Sequence, residues 1–113
     1  MKKSFGLLII GLVSLTACTK SGIASGTPKC VENKIIDFKD KAVCEEGTKV
    51  ELYSFQGEDV YVFVEGNCGA DLTSEVIDSD CNSLGYLGGI TGNNEINGEN
   101  FDDAIYKKII WQQ

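Results

Sequence analysis

The sequence predicts an α+β domain in which an N-terminal helix packs on a three- or four-stranded antiparallel sheet braced by disulfides. Three observations predict it. Apolar residues recur at helical spacing early in the domain, two alternating runs follow with a short polar turn between them, and an even number of cysteines is spread along the same stretch.

The helical signal is Val31, Ile35, Phe38 and Ala42, spaced by 4, 3 and 4 with Glu32, Asn33, Lys34, Asp37 and Lys39 between them. That pattern lays one apolar stripe along a helix from 31 to 41. Gly47 then marks a turn. Lys49 to Phe55 alternates, with Val50 and Leu52 on one face, and Asp59 to Glu65 puts Val60, Val62 and Val64 on one face and Tyr61 and Phe63 on the other. Gln56-Gly57-Glu58 separates the runs, so the two read as an antiparallel hairpin. Gly66 to Asn82 is rich in Gly, Asp and Ser and reads as a long loop pinned by Cys68 and Cys81. Ser83 to Thr91 holds a short strand around Tyr86 and Leu87, and Asn93 to Asn100 is a turn region centred on Asn97-Gly98. Ile105 to Trp111 is enriched in β-branched and aromatic residues and predicts a closing strand, with a helix through Phe101, Ile105 and Ile109 as the competing reading.

Before this domain stand Lys2 and Lys3, an apolar stretch from Phe5 to Leu15, and Leu15-Thr16-Ala17-Cys18. The order of positive region, apolar core and small residues is that of a secretion signal, and the stretch is shorter than the roughly 20 residues of a membrane-spanning helix. Its end resembles the lipobox of bacterial lipoproteins. That resemblance implies cleavage after residue 17, lipidation of Cys18, and anchoring in a bilayer through buried acyl chains. Thr19, standing where an Asp would imply retention in the inner membrane, points to the outer membrane, with the domain facing the periplasm or the cell surface. Residues 18–29 read as a lipidated cysteine and a Gly/Ser-rich flexible tether, and 30–113 as one small domain.

Cleavage would remove two lysines and no acid, taking the formal charge from −7 to −9. So acidic a chain lacks the basic footprint that nucleic acid or anionic headgroups require. The sequence has no histidine, and all 10 of its basic residues are lysines. Serine and cysteine nucleophiles activated by an imidazole, histidine metal sites and arginine clamps are therefore excluded. No catalytic residue and no cofactor is expected.

Cys30, Cys44, Cys68 and Cys81 are spaced by 14, 24 and 13 residues, without the close pairs of a zinc site, so in an exported chain they predict two disulfides. A helix between Cys30 and Cys44 would hold them roughly 21 Å apart at 1.5 Å per residue, well beyond bridging distance. With the helix antiparallel to the first strand, Cys44 comes near Cys68 and Cys30 is left for Cys81.

Three constellations remain as candidates. Asp71, Asp78 and Asp80 offer oxygen ligands for calcium, although Ser83 and Gly89 stand where an EF-hand loop needs Gly and Glu, so a solvated loop competes with that reading. Gly85 to Gly92 is glycine-rich, but it lacks the downstream lysine of a phosphate cradle and suits close backbone approach. Tyr53, Tyr61, Phe63, Tyr86 and Trp111 form either a carbohydrate- or peptide-binding face or ordinary core.

The runs VYVFVEGNC at 60–68 and VIDSDCNSLGYLGGITG at 76–92, with Asn97-Gly98, Phe101 and the terminal IIW at 109–111, resemble a family of small lipoproteins from Bacteroidetes-type bacteria known only as a domain of unknown function. The resemblance implies origin and compartment and supplies no activity. The expected role is that of a non-enzymatic envelope binding module, whose partners are the bilayer through Cys18 and an envelope protein or glycan. The alternatives are a small enzyme inhibitor inserting the 68–81 loop, or a calcium-dependent binding module.

Overall fold

A computed structural model describes residues 22–69 and 71–113. The helix α1 runs Lys29–Asp40, starting two residues earlier than the apolar stripe implies because Pro28 sits at its N-cap. Proline has no N–H to leave unsatisfied and its φ of −55° leads the chain into the first turn, where the Glu32 N–H donates to the Pro28 carbonyl at 2.9 Å. Lys39 in the last turn complements the helix dipole. Val31 and Ile35 are fully buried and Phe38 is half-buried, so the predicted stripe faces the sheet.

The sheet has five antiparallel strands, one or two more than expected from sequence, in the spatial order Ser83–Gly88 (β4), Thr73–Asp78 (β3), Glu58–Val64 (β2), Lys49–Phe55 (β1) and Ile105–Gln112 (β7). β1 (Lys49–Phe55) and β2 (Glu58–Val64) form the predicted hairpin, pairing Val50 with Phe63 and Leu52 with Tyr61. Gln56 and Gly57 both take positive φ, 54° and 79°, the two-residue turn that matches the strands' twist. The expected loop from 66 to 82 is corrected: Thr73–Asp78 is β3, paired with β2 on one side and with β4 (Ser83–Gly88) on the other. Val76 and Ile77 point to opposite faces and both are buried, so two apolar residues suffice for an interior strand when each face has its own core. The C-terminal run is strand β7 (Ile105–Gln112), antiparallel to β1, so the helical alternative there does not stand.

Alternation along β2 builds two cores. Tyr61 and Phe63 join Val50, Leu52, Ile77, Ile110 and Trp111 beneath α1. Val60 and Val62 join Phe55, Val76, Ile96 and Phe101 on the opposite face. That second core is roofed by a small flap that the sequence reading treats only as a turn. Two-residue strands β5 (Glu95–Ile96) and β6 (Glu99–Asn100) are joined by Asn97-Gly98, both at positive φ, and a 3-10 turn follows at Phe101–Asp103. Phe101 stacks 4.9 Å from Phe55 and 5.3 Å from Tyr53, centroid to centroid. Helix, sheet and flap thus make three layers.

The expected tether is also corrected where the structure describes it. Ile23 is 0% exposed within the helix-side core, and the Ala24 N–H donates to the Ile110 carbonyl at 2.9 Å, so the chain from Gly22 lies along β7 instead of running free. Burying one isoleucine stabilises by roughly 2 to 3 kcal/mol, enough to hold a short segment in place. At the other edge, the Asn93 side chain donates to the Tyr86 carbonyl at 2.7 Å, and the Asn93 and Gly88 backbones exchange hydrogen bonds of 2.8 and 3.1 Å. Among the described residues no helix is long and apolar enough to cross a membrane.

Candidate functional site

Cys18, the expected lipidation site, lies outside the described residues, as does the signal segment. The structure joins Cys30 to Cys81, with Cα atoms 6.2 Å apart, and Cys44 to Cys68, at 5.4 Å. The geometry follows from α1 running antiparallel to β1: its first turn lies beside the β3–β4 turn that carries Cys81, and its last turn leads toward the end of β2. The two bridges therefore clamp opposite ends of the helix to the sheet.

Asp71, Asp78 and Asp80 do not converge. Asp71 precedes β3, Asp78 is the last residue of β3 and pairs with Val60, and Asp80 lies in the turn beyond, so the six-residue strand, roughly 20 Å long, separates Asp71 from the other two. The Asp78 carboxylate is instead a turn cap, accepting from the Asp80 N–H at 2.9 Å, the Asn82 N–H at 2.9 Å and the Asn82 side chain at 3.1 Å. These bonds, the one from the Asn82 backbone foremost, hold its carboxyl below the usual range. Among the described residues no three Cys, Asp or Glu side chains gather as metal ligands.

The five candidate aromatics are divided between the layers. Tyr61, Phe63 and Trp111 lie under α1, where Phe38 meets Phe63 edge-on at 5.1 Å. Tyr53 sits on the opposite face against Phe101 and Tyr106. Burial raises the phenol pKa of Tyr53 and of Tyr61, and the Glu51 carboxylate raises that of Tyr53 further. Tyr86 alone stands well exposed. The glycine-rich stretch serves close approach: a Cβ on Gly85 would come within 3.2 Å of Ile96 in the flap, and one on Gly88 within 3.2 Å of the Leu72 carbonyl.

A groove of about 350 Å³ lies between the second half of α1 and the exposed part of β2–β4. Phe38 and Phe63 form its apolar floor. Lys34 bridges to Glu75 at 3.3 Å with its ammonium 5.9 Å from the Phe63 ring centre, and the Tyr86 hydroxyl donates to the other oxygen of Glu75 at 3.3 Å. On the helix, Lys41 pairs with Asp37 at 3.1 Å. The groove's cations thus already have anionic partners, while Tyr86 and, at its foot, Val43 remain 53% and 70% exposed. Such a site selects by shape and apolar contact more than by net charge.

Of this groove, sequence reasoning singles out Phe63 and Tyr86 and misses Lys34, Phe38 and Glu75 as site residues. Phe38 is visible as the exposed margin of the helical stripe. Glu75 is hidden inside the segment read as a loop, of which Thr73–Asp78 is an interior strand.

Residues 36–113 match DUF6970, a domain of unknown function. No curated protein and no solved structure matches the chain.

Proposed function

We propose for this chain, which belongs to the DUF6970 family, a role as a lipid-anchored envelope protein that binds a partner instead of catalysing a reaction. The observation that carries the binding role is the α1–β4 groove, apolar-floored, with its lysines paired to Asp37 and Glu75 and the Tyr86 ring 53% exposed at its rim. An occupant adding an apolar or aromatic side chain gains burial against Phe38 and Tyr86 without having to break a desolvated ion pair. The fitting partner is a segment of another envelope protein. The absence of histidine and arginine from the sequence supports binding over catalysis by removing the commonest general base and oxyanion clamp.

The anchoring half of the proposal rests on the Leu15-Thr16-Ala17-Cys18 lipobox, with Thr19 favouring the outer membrane, and accords with the Bacteroidetes-type origin that the family resemblance implies. A photo-crosslinking amino acid at Tyr86, introduced into the lipidated protein in cells, tests the binding half. The expected result is one reproducible stoichiometric adduct that disappears when Phe38→Asp is added and persists when the far-side Glu99→Ala is added. An absence of any adduct, or adducts indifferent to Phe38, would reject the groove as the binding site.

A further inference from the structure

We propose that the domain stands on the bilayer on one defined end, with Val43 and Ile90 dipping into the lipid interface. The inference rests on the reading of Cys18 as the lipid anchor and specifies how the domain sits on that anchor.

The sheet has two distinguishable ends. At one, β1 begins at Lys49, β2 ends at Val64, β3 begins at Thr73, β4 ends at Gly88 and β7 ends at Gln112. The chain enters at this end, because Gly22 lies beside Trp111, a Cβ there being 3.9 Å from the indole, and Ala24 bonds to Ile110. At the other end are the 56–57 turn, the Asp78–Asn82 turn and the acids Glu58, Asp59 and Asp80.

Chain length decides which end can meet the membrane. Four residue steps separate Cys18 from Gly22, spanning at most about 14 Å. β1 alone, with 7 residues, extends roughly 20 Å. Were the far end against the lipid, Gly22 would stand at least a strand's length above it, farther than the link to Cys18 can reach. The entry end is therefore held within reach of the bilayer.

That same end carries two of the most exposed apolar side chains in the described structure. Ile90 is 86% exposed at the tip of the loop that follows β4, and Val43 is 70% exposed between α1 and the Cys44–Cys68 bridge. Their positions are fixed by the sheet: Gly89 donates to the Leu72 carbonyl beside the start of β3, and the Cys44 carbonyl accepts from the side chain of Gln113 at the end of β7. Glu45 and Glu46 are exposed beside Val43, so the fitting surface is zwitterionic lipid and not an anionic headgroup layer. The groove then rises from the membrane, with Val43 at its foot and Lys34 farther out.

The test uses lipidated full-length protein floated on phosphatidylcholine vesicles, with tryptophan placed at Val43, Ile90 or the far-end Glu58 and the signal of native Trp111 subtracted. Brominated acyl chains are expected to quench Val43→Trp and Ile90→Trp several-fold more than Glu58→Trp. Protein that floats while all three tryptophans are quenched equally or not at all would overturn the orientation and leave the anchor standing. A concentration-dependent blue shift without quenching would overturn it in favour of contact between copies. Protein that fails to float would overturn the anchor reading and the orientation together.

Discussion

Gly66 makes room for Cys44: a Cβ on Gly66 would lie 2.6 Å from the Cys44 Cβ and 2.9 Å from its sulfur, and the φ of Gly66 is 129°. Cys44 is 3% exposed, so its side chain has nowhere to withdraw. Gly66→Ala is expected to destabilise the domain by about 2 to 4 kcal/mol through clash and backbone strain together. Urea denaturation of the oxidised protein checks this, and a loss below about 0.5 kcal/mol would mean that the 66–68 segment shifts freely.

The two bridges close loops of different length, with sequence separations of 51 and 24. Chain entropy predicts a loss of about 4 kcal/mol for Cys30→Ser/Cys81→Ser and about 3.5 kcal/mol for Cys44→Ser/Cys68→Ser. Should the second pair prove the more damaging, tight packing around Cys44 outweighs loop closure. Urea midpoints of the two double variants distinguish these outcomes.

The legible parts of the fold are those where one residue pattern points to one environment. The β1–β2 hairpin is readable because alternation and a short Gly-containing turn agree, and VYVFV announces a strand apolar on both faces. Two sheet faces need two covers, yet only α1 has a helical stripe to declare itself. The flap hangs on Ile96 and Phe101, single apolar residues in a run of Asn, Gly and Asp, which local composition renders as turn. β3 is obscured in the same way: in TSEVID only Val76 and Ile77 are strongly apolar, and its Gly- and Asp-rich flanks resemble loop. Ile23 is a lone apolar residue among Gly, Ser and Thr, and nothing local distinguishes docking from tether. The groove needs β3 and β4 in register before Glu75 can meet Tyr86 and Lys34, so it follows from tertiary placement alone.

Asp78 gives the fold a pH dependence of predictable sign. Its folded pKa is depressed below the ordinary 3.8, so its contribution to stability is present above that value and is lost as pH falls through the folded pKa. The stability difference between wild type and Asp78→Asn is expected to be constant above about pH 5 and to shrink steadily below 3.8. Carboxyl NMR titration of Asp78 is the direct check; a midpoint at or above the ordinary value would contradict it.

Ile96, in the flap itself, is fully buried against the sheet. Ile96→Ala is expected to cost about 2 to 5 kcal/mol, against less than about 0.5 for the exposed neighbour Glu99→Ala. Thermal unfolding followed by circular dichroism measures both. A small effect at Ile96 would make the flap a frayed appendage and not a third layer.

Ile23→Ala tests whether the entry segment belongs to the folded unit. A loss of about 2 to 4 kcal/mol, together with faster hydrogen exchange at Ala24, is expected. Exchange at Ala24 unchanged from wild type would show that the bond to Ile110 holds without the buried side chain.

On the proposed lipid anchor, where copies would share a surface, the hydrogen bonds from Asn93 to Tyr86 and Gly88 would matter beyond one molecule. Proteins confined to two dimensions collide far more often than the same number in solution, and an open strand border would offer each neighbour a template for fibre growth. Asn93 occupies that border from within its own chain, and at the opposite border Lys107 and Lys108 flank irregular pairing with β1. Both borders of the sheet are thereby obstructed against edge-to-edge pairing.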